Sequence, residues 1–92
     1  MAKTRAHVVI HGRVHGVGFR FSTCDKAEHY GLTGWVRNTW DRTVEAVFEG
    51  EETDVKDMVE WCRRGPMLAH VTKLELEYSA ATGEFREFRV TG

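Results

Sequence analysis

The residues best suited to chemistry are concentrated in one decapeptide, His11-Gly12-Arg13-Val14-His15-Gly16-Val17-Gly18-Phe19-Arg20. It places Gly12, Gly16, Gly18, Arg13 and Arg20 directly after the apolar run Val8-Val9-Ile10. Glycines admit positive φ, which lets successive N–H groups converge on one point and form a concave nest for an anion. An arginine closing such a loop adds a planar fork matched to phosphate oxygens. At a helix start that arginine is unfavourable beside the positive end of the helix dipole unless an anion sits there. Three glycines so close together also exceed what a single tight turn requires. The decapeptide therefore reads as a phosphate-binding loop.

The charge distribution limits the size of that anion. The chain has 92 residues and a formal net charge of −1. Residues 1–24 carry Lys3, Arg5, Arg13 and Arg20 and no acid, whereas residues 41–60 are rich in Asp and Glu, including Glu45 and Glu49. A small basic start around a glycine loop suits a small anion; a long polyanion needs a broad basic face. Nucleic acid is excluded as a partner on that ground. The acidic segment is expected to be a solvated face.

A loop of this kind has to be held by a scaffold. The length fits one domain, residues 1–92, around a single core. No apolar run approaches the ~20 residues that span a bilayer, and Met1-Ala2-Lys3-Thr4-Arg5 lacks the apolar segment of a signal peptide. The expectation is a cytoplasmic protein without a membrane partner. Cys24 and Cys62 are too few for a disulfide framework or a zinc site and are expected to be reduced thiols.

Residues 5–11 alternate with a period of two and predict a first strand. Phe21, Cys24, Ala27 and Glu28 fall three or four apart and predict a short amphipathic helix, closed by Gly31. Residues 33–40 and 43–49 predict a hairpin turning at Asp41-Arg42. Val55, Met58, Val59 and Cys62 mark a second helix that stops at Gly65-Pro66. Leu74, Leu76 and Tyr78 alternate in a fourth strand, 79–84 is a polar loop, and 85–90 is a last short strand. The order is β-α-β-β-α-β plus a terminal strand. This predicts an α+β, ferredoxin-like split βαβ fold: an antiparallel sheet with both helices on one face. The right-handed crossover through the first helix leaves the first two strands parallel, so one rim collects the glycine loop, Arg20 and Asn38. The N-terminus of that helix adds free N–H groups there.

At these residues the chain resembles the acylphosphatase family. Gly12-Arg13-Val14-His15-Gly16-Val17-Gly18-Phe19-Arg20 is similar to the family's first motif, and Gly34-Trp35-Val36-Arg37-Asn38, followed by Val44 and Gly50, to its second. Length and element order agree throughout. The resemblance implies hydrolysis of the carboxyl–phosphate bond of acyl phosphates to carboxylate and inorganic phosphate, without a metal or other cofactor. By the same resemblance Arg20 and the backbone amides of His15, Gly16, Val17, Gly18, Phe19 and Arg20 bind the phosphate, and Asn38 positions the attacking water. Inorganic phosphate is then product and competitive inhibitor, the substrate is a small molecule, and the protein acts as a monomer. Two residues depart from the pattern: His15 stands where the family has glutamine, and Arg42 where its hairpin turn has glycine.

The chemistry is compatible with so sparse a site. A carboxylate leaving group departs without a proton, so a general acid is dispensable, and phosphoryl transfer is catalysed mainly by positioning and charge stabilisation. Two other functional classes share features of this pattern. A non-catalytic anion-binding module would share the loop and is separated by measured hydrolysis. An RNA-recognition domain shares the element order, but its third strand carries a basic-glycine-aromatic block. Here that strand reads Thr43-Val44-Glu45-Ala46-Val47-Phe48-Glu49, which excludes it. His7 and His11 share one side of the first strand without a carboxylate or cysteine at matching spacing, and are expected to be surface residues rather than metal ligands.

Overall fold

The computed structural model describes residues 2–92; Met1, the first residue of the stretch read as lacking a leader, lies outside them. Its elements are β1 (Lys3–Arg13), α1 (Phe19–His29), β2 (Thr33–Asn38), β3 (Val44–Glu51), α2 (Glu52–Arg64), β4 (His70–Ala80) and β5 (Phe88–Val90). The sheet runs β4-β1-β3-β2-β5. β1 is antiparallel to both β3 and β4, and β2 is antiparallel to β3. β5 pairs parallel to β2, so the sheet is mixed, not purely antiparallel as expected. The connection explains the difference: β4 finishes at the end of the α+β ferredoxin-like sheet where β2 begins, so residues 81–87 lead into β5 in the direction of β2.

The alternation read in β1 is realised in its burial. Ala6, Val8 and Ile10 are fully buried and face the helices, while His7 and His11 lie on the opposite face. The helix-side core is completed by Val36, Val44, Ala46 and Phe48 from the sheet, and by Val55, Met58, Val59 and Cys62 from α2. The α2 stripe matches the predicted spacing because its apolar positions follow a clean helical period. Phe48 stacks on Phe88 at 5.4 Å between ring centroids, which ties β5 into the core.

In α1 the predicted face is corrected. The helix begins at Phe19, two residues earlier than expected, and buries Phe19, Thr23 and Ala27, spaced four apart. Phe21 instead points outward, 77% exposed. Phe19 sits edge-on against Trp61 at 5.7 Å, so this ring, and not Phe21, docks α1 onto α2. β4 is longer than its apolar alternation suggests, because β1 offers pairing partners from Thr4 to Arg13. The last strand is correspondingly shorter than 85–90. Both cysteines are free thiols. Burial raises the Cys62 pKa; burial, followed by the nearby Glu28, Asp25 and Glu87 carboxylates, raises that of Cys24.

The acidic segment is not simply a solvated face. Glu49 is buried, and its carboxylate accepts from the Thr82 and Gly83 N–H groups, the Thr82 hydroxyl and Arg5 Nη1, each at 3.0 Å. Glu45 accepts from Arg37 and pairs with His7 across the sheet. Burial alone raises the pKa of Glu49, but its four donors outweigh that and hold it below the usual range. A carboxylate with a depressed folded pKa contributes stability above its unfolded pKa and loses it as pH falls through the folded one. We expect the domain to lose stability progressively below about pH 4. Glu49→Ala is expected to cost about 3 kcal/mol by leaving the Thr82 and Gly83 amides without an acceptor, while Arg5 keeps Glu84; Tm falls by more than about 10 °C. Thermal unfolding at neutral and acidic pH measures both; a Glu49→Ala protein with unchanged Tm contradicts the assignment.

Candidate active site

The loop between β1 and α1 is organised by its glycines. Val14 is buried and anchors the loop at one end, and Phe19 is buried at the other. Between them Gly16 (φ 71°) and Gly18 (φ 74°) take left-handed conformations that a Cβ would strain. Gly18 also caps α1 with no side-chain hydrogen bond. The N–H groups of the first helical turn, which have no partner within the helix, are thus left available. The first turn carries Arg20 and no acid, whereas that of α2 carries Glu52 and Asp54. The positive end of the α1 dipole is therefore uncompensated by side chains and open to an anion. Gly12, counted with the loop from sequence, belongs to β1, where the register shifts between it and His11.

A cleft of about 310 Å³ opens over this loop and is lined by Val14, Gly16, Gly18, Phe19, Arg20, Phe21, Asn38 and Val90. Arg20 is exposed and makes no ion pair among the described residues. Asn38, the last residue of β2, reaches the same cleft from across the crossover, as the topology requires. Its Oδ1 is buried with no hydrogen-bond partner. A buried acceptor left unpaired by the protein is costly, and this one is available to a group that enters the cleft.

Of the expected loop residues, Gly16, Gly18, Phe19 and Arg20 line the cleft, and His15 and Val17 do not. Val17 packs against the core. The His15 ring turns away and donates from Nε2 to the Thr43 carbonyl at 2.8 Å. That bond ties the loop to the β2–β3 turn, next to Asn38. The turn is itself held by hydrogen bonds between Thr39 and Thr43 hydroxyls (2.6 Å) and from the Thr43 hydroxyl to Asp41 (2.9 Å). The Thr39 and Thr43 hydroxyls lower the Asp41 pKa. Two residues that line the cleft, Phe21 and Val90, were not placed there from sequence. Phe21 falls on the predicted apolar face of its helix and Val90 lies on a strand more than fifty residues away, so neither carries a signal in the sequence.

Arg42 takes the positive φ that its departure from glycine demands, 71°. For a side chain this conformation costs about 1–2 kcal/mol, against ~0.5–1 kcal/mol of unfolded-state entropy that glycine would add. Arg42→Gly is therefore expected to stabilise the domain by up to about 1 kcal/mol. Denaturant unfolding reads this directly, and a destabilised variant contradicts it.

Among the described residues no group of three or more His, Cys, Asp or Glu side chains is arranged to hold a metal ion. His7 is paired with Glu45 at 2.7 Å and His11 with Glu75 at 2.6 Å, separately and on the face away from the helices. No helix of the described residues is long and apolar enough to cross a membrane.

Known proteins resemble the chain in both sequence and fold. The family model described as Acylphosphatase matches residues 6–90. An acylphosphatase of Syntrophobacter fumaroxidans is 53% identical over 91 residues, which cover 99% of this chain and 94% of that one. Among solved structures, an acylphosphatase from Bacillus subtilis superposes with a TM-score of 0.93 at 30% identity, covering 97% of this chain and 99% of that one. An acylphosphatase from Coxiella burnetii gives 0.92 at 38% identity, covering 98% and 94%. With an anion-ready loop, a matching fold and near-complete coverage of these enzymes, the chain belongs to the acylphosphatase family and hydrolyses acyl phosphates.

Proposed function

We propose that the cleft performs this hydrolysis with the protein's own groups alone. The phosphoryl group is held by the backbone N–H groups of His15 to Arg20 and by the Arg20 guanidinium. Asn38 Oδ1 accepts a hydrogen bond from the attacking water and aims its oxygen at phosphorus. The observation that carries the reading is the meeting, in one cleft, of an unpaired arginine, an anion-ready helix start and a buried unpartnered acceptor. An oxygen of the bound phosphoryl group takes the water's proton, and the carboxylate leaves unprotonated. Charge stabilisation by fixed donors supplies the acceleration, and an amide orients water without titrating. Residues 1–92 act as one domain and one monomer in the cytoplasm.

The testing experiment is hydrolysis of acetyl phosphate with excess chelator and with inorganic phosphate as competitor. Turnover unaffected by chelator and inhibited competitively by phosphate is the expected result. Loss of activity on chelation, restored by a divalent cation, overturns the metal-free scheme.

A further inference from the structure

The phosphate end of the cleft leaves open what meets the rest of the substrate. Beyond Arg20 the lining contains no charged side chain, and the two residues at its mouth are apolar: Phe21, 77% exposed, and Val90, 47% exposed. Scattered exposed apolar residues are ordinary on a protein surface. These two are not scattered, because the backbone fixes both against the site. Phe21 directly follows Arg20 in the first turn of α1. Val90 pairs with Val36, two residues before Asn38 on β2.

We propose that Phe21 and Val90 form an acyl subsite that selects acyl phosphates with an uncharged, apolar acyl group. The proposal rests on the phosphate-binding reading of the cleft. With the phosphoryl group on the loop and Arg20, the acyl group projects toward the mouth, where only apolar side chains and backbone meet it. An aromatic or branched aliphatic group buries surface there, whereas an acyl group carrying a second anionic centre loses water and finds no cation. A tenfold preference corresponds to about 1.4 kcal/mol, the burial of roughly 55 Å² of apolar surface. A ring resting on Phe21 and Val90 provides that scale of contact.

The test compares kcat/KM for benzoyl phosphate and acetyl phosphate in the wild type and in Phe21→Ala, Val90→Ala and Phe21→Leu. Taking the ratio of the two substrates and comparing it between proteins cancels the intrinsic reactivity of the two anhydrides. Phe21→Ala is expected to reduce the benzoyl-to-acetyl ratio about tenfold and Val90→Ala about threefold. Phe21→Leu retains most of the wild-type ratio. Both side chains are exposed, so folding is not at stake. A ratio that is the same in all four proteins, with hydrolysis intact, overturns the acyl subsite and leaves the phosphate-binding reading standing. Failure of the wild type to hydrolyse either compound overturns that reading and the subsite with it.

Discussion

Arg20→Lys is expected to lower kcat/KM for acetyl phosphate by about 10³-fold, although it keeps the charge. The guanidinium presents two parallel N–H donors to two oxygens of one phosphoryl group; an ammonium offers a point charge with no such fork. Arg20 lines the cleft and is committed to no carboxylate among the described residues, so its fork is free for the substrate. As an exposed residue without structural partners, it can be replaced with a stability change of no more than about 0.5 kcal/mol. Steady-state kinetics and thermal unfolding on the same sample separate the two effects. Near-normal turnover by a folded Arg20→Lys protein contradicts the role given to the arginine.

The second large effect falls on Asn38. Asn38→Ala is expected to reduce kcat on the order of 10²-fold while inorganic phosphate still inhibits with nearly wild-type affinity. The separation follows from the proposed roles, in which the loop amides and Arg20 hold the phosphoryl group; Asn38 Oδ1 lies at the end of β2 with no partner of its own. Removing an acceptor that is already unpaired leaves no new buried group unsatisfied, so the alanine variant should be at least as stable as wild type. Asn38→Asp is the informative companion, because a carboxylate there repels phosphate and weakens the inhibition that alanine spares. If alanine abolished phosphate binding instead, Asn38 would belong to the anion site and not to the water.

How much of this could be read from sequence depended on how far apart the interacting residues lie. The α2 stripe, Val55 to Cys62, and the alternation of Ala6, Val8 and Ile10 are local periodicities, and the structure buries those residues as expected. The α1 face could not be read the same way. Gly18 sets the start of the helix, and Phe19, not Phe21, packs on Trp61 from α2. Glu49 looked like one more solvated acid because its partners, Thr82 and Gly83, lie more than thirty positions along the chain. The full length of β4 was hidden similarly, since β1 and not its own alternation determines it.

In the site, the glycine loop announced itself, and topology alone placed Arg20 and Asn38 on one rim. The affinity of Arg20 for phosphate was legible from its place at the end of the loop; the water-positioning role of Asn38 came from the family resemblance. The destination of the His15 side chain was not legible. Its bond to the Thr43 carbonyl makes it a brace between the loop and the Asn38 end of the hairpin. Nor was the apolar mouth at Phe21 and Val90, which exists only once α1 and β5 are folded beside each other.

The central claim is that one short loop and its arginine hold the phosphoryl group. It is tested most directly by titrating the protein with inorganic phosphate and following the amide resonances by NMR, with chelator present throughout. The account predicts saturable shifts centred on the backbone amides of residues 15–20, with the Arg20 and Asn38 side chains responding in step. Shifts centred elsewhere, or no response of that loop at phosphate concentrations that inhibit hydrolysis, would contradict it.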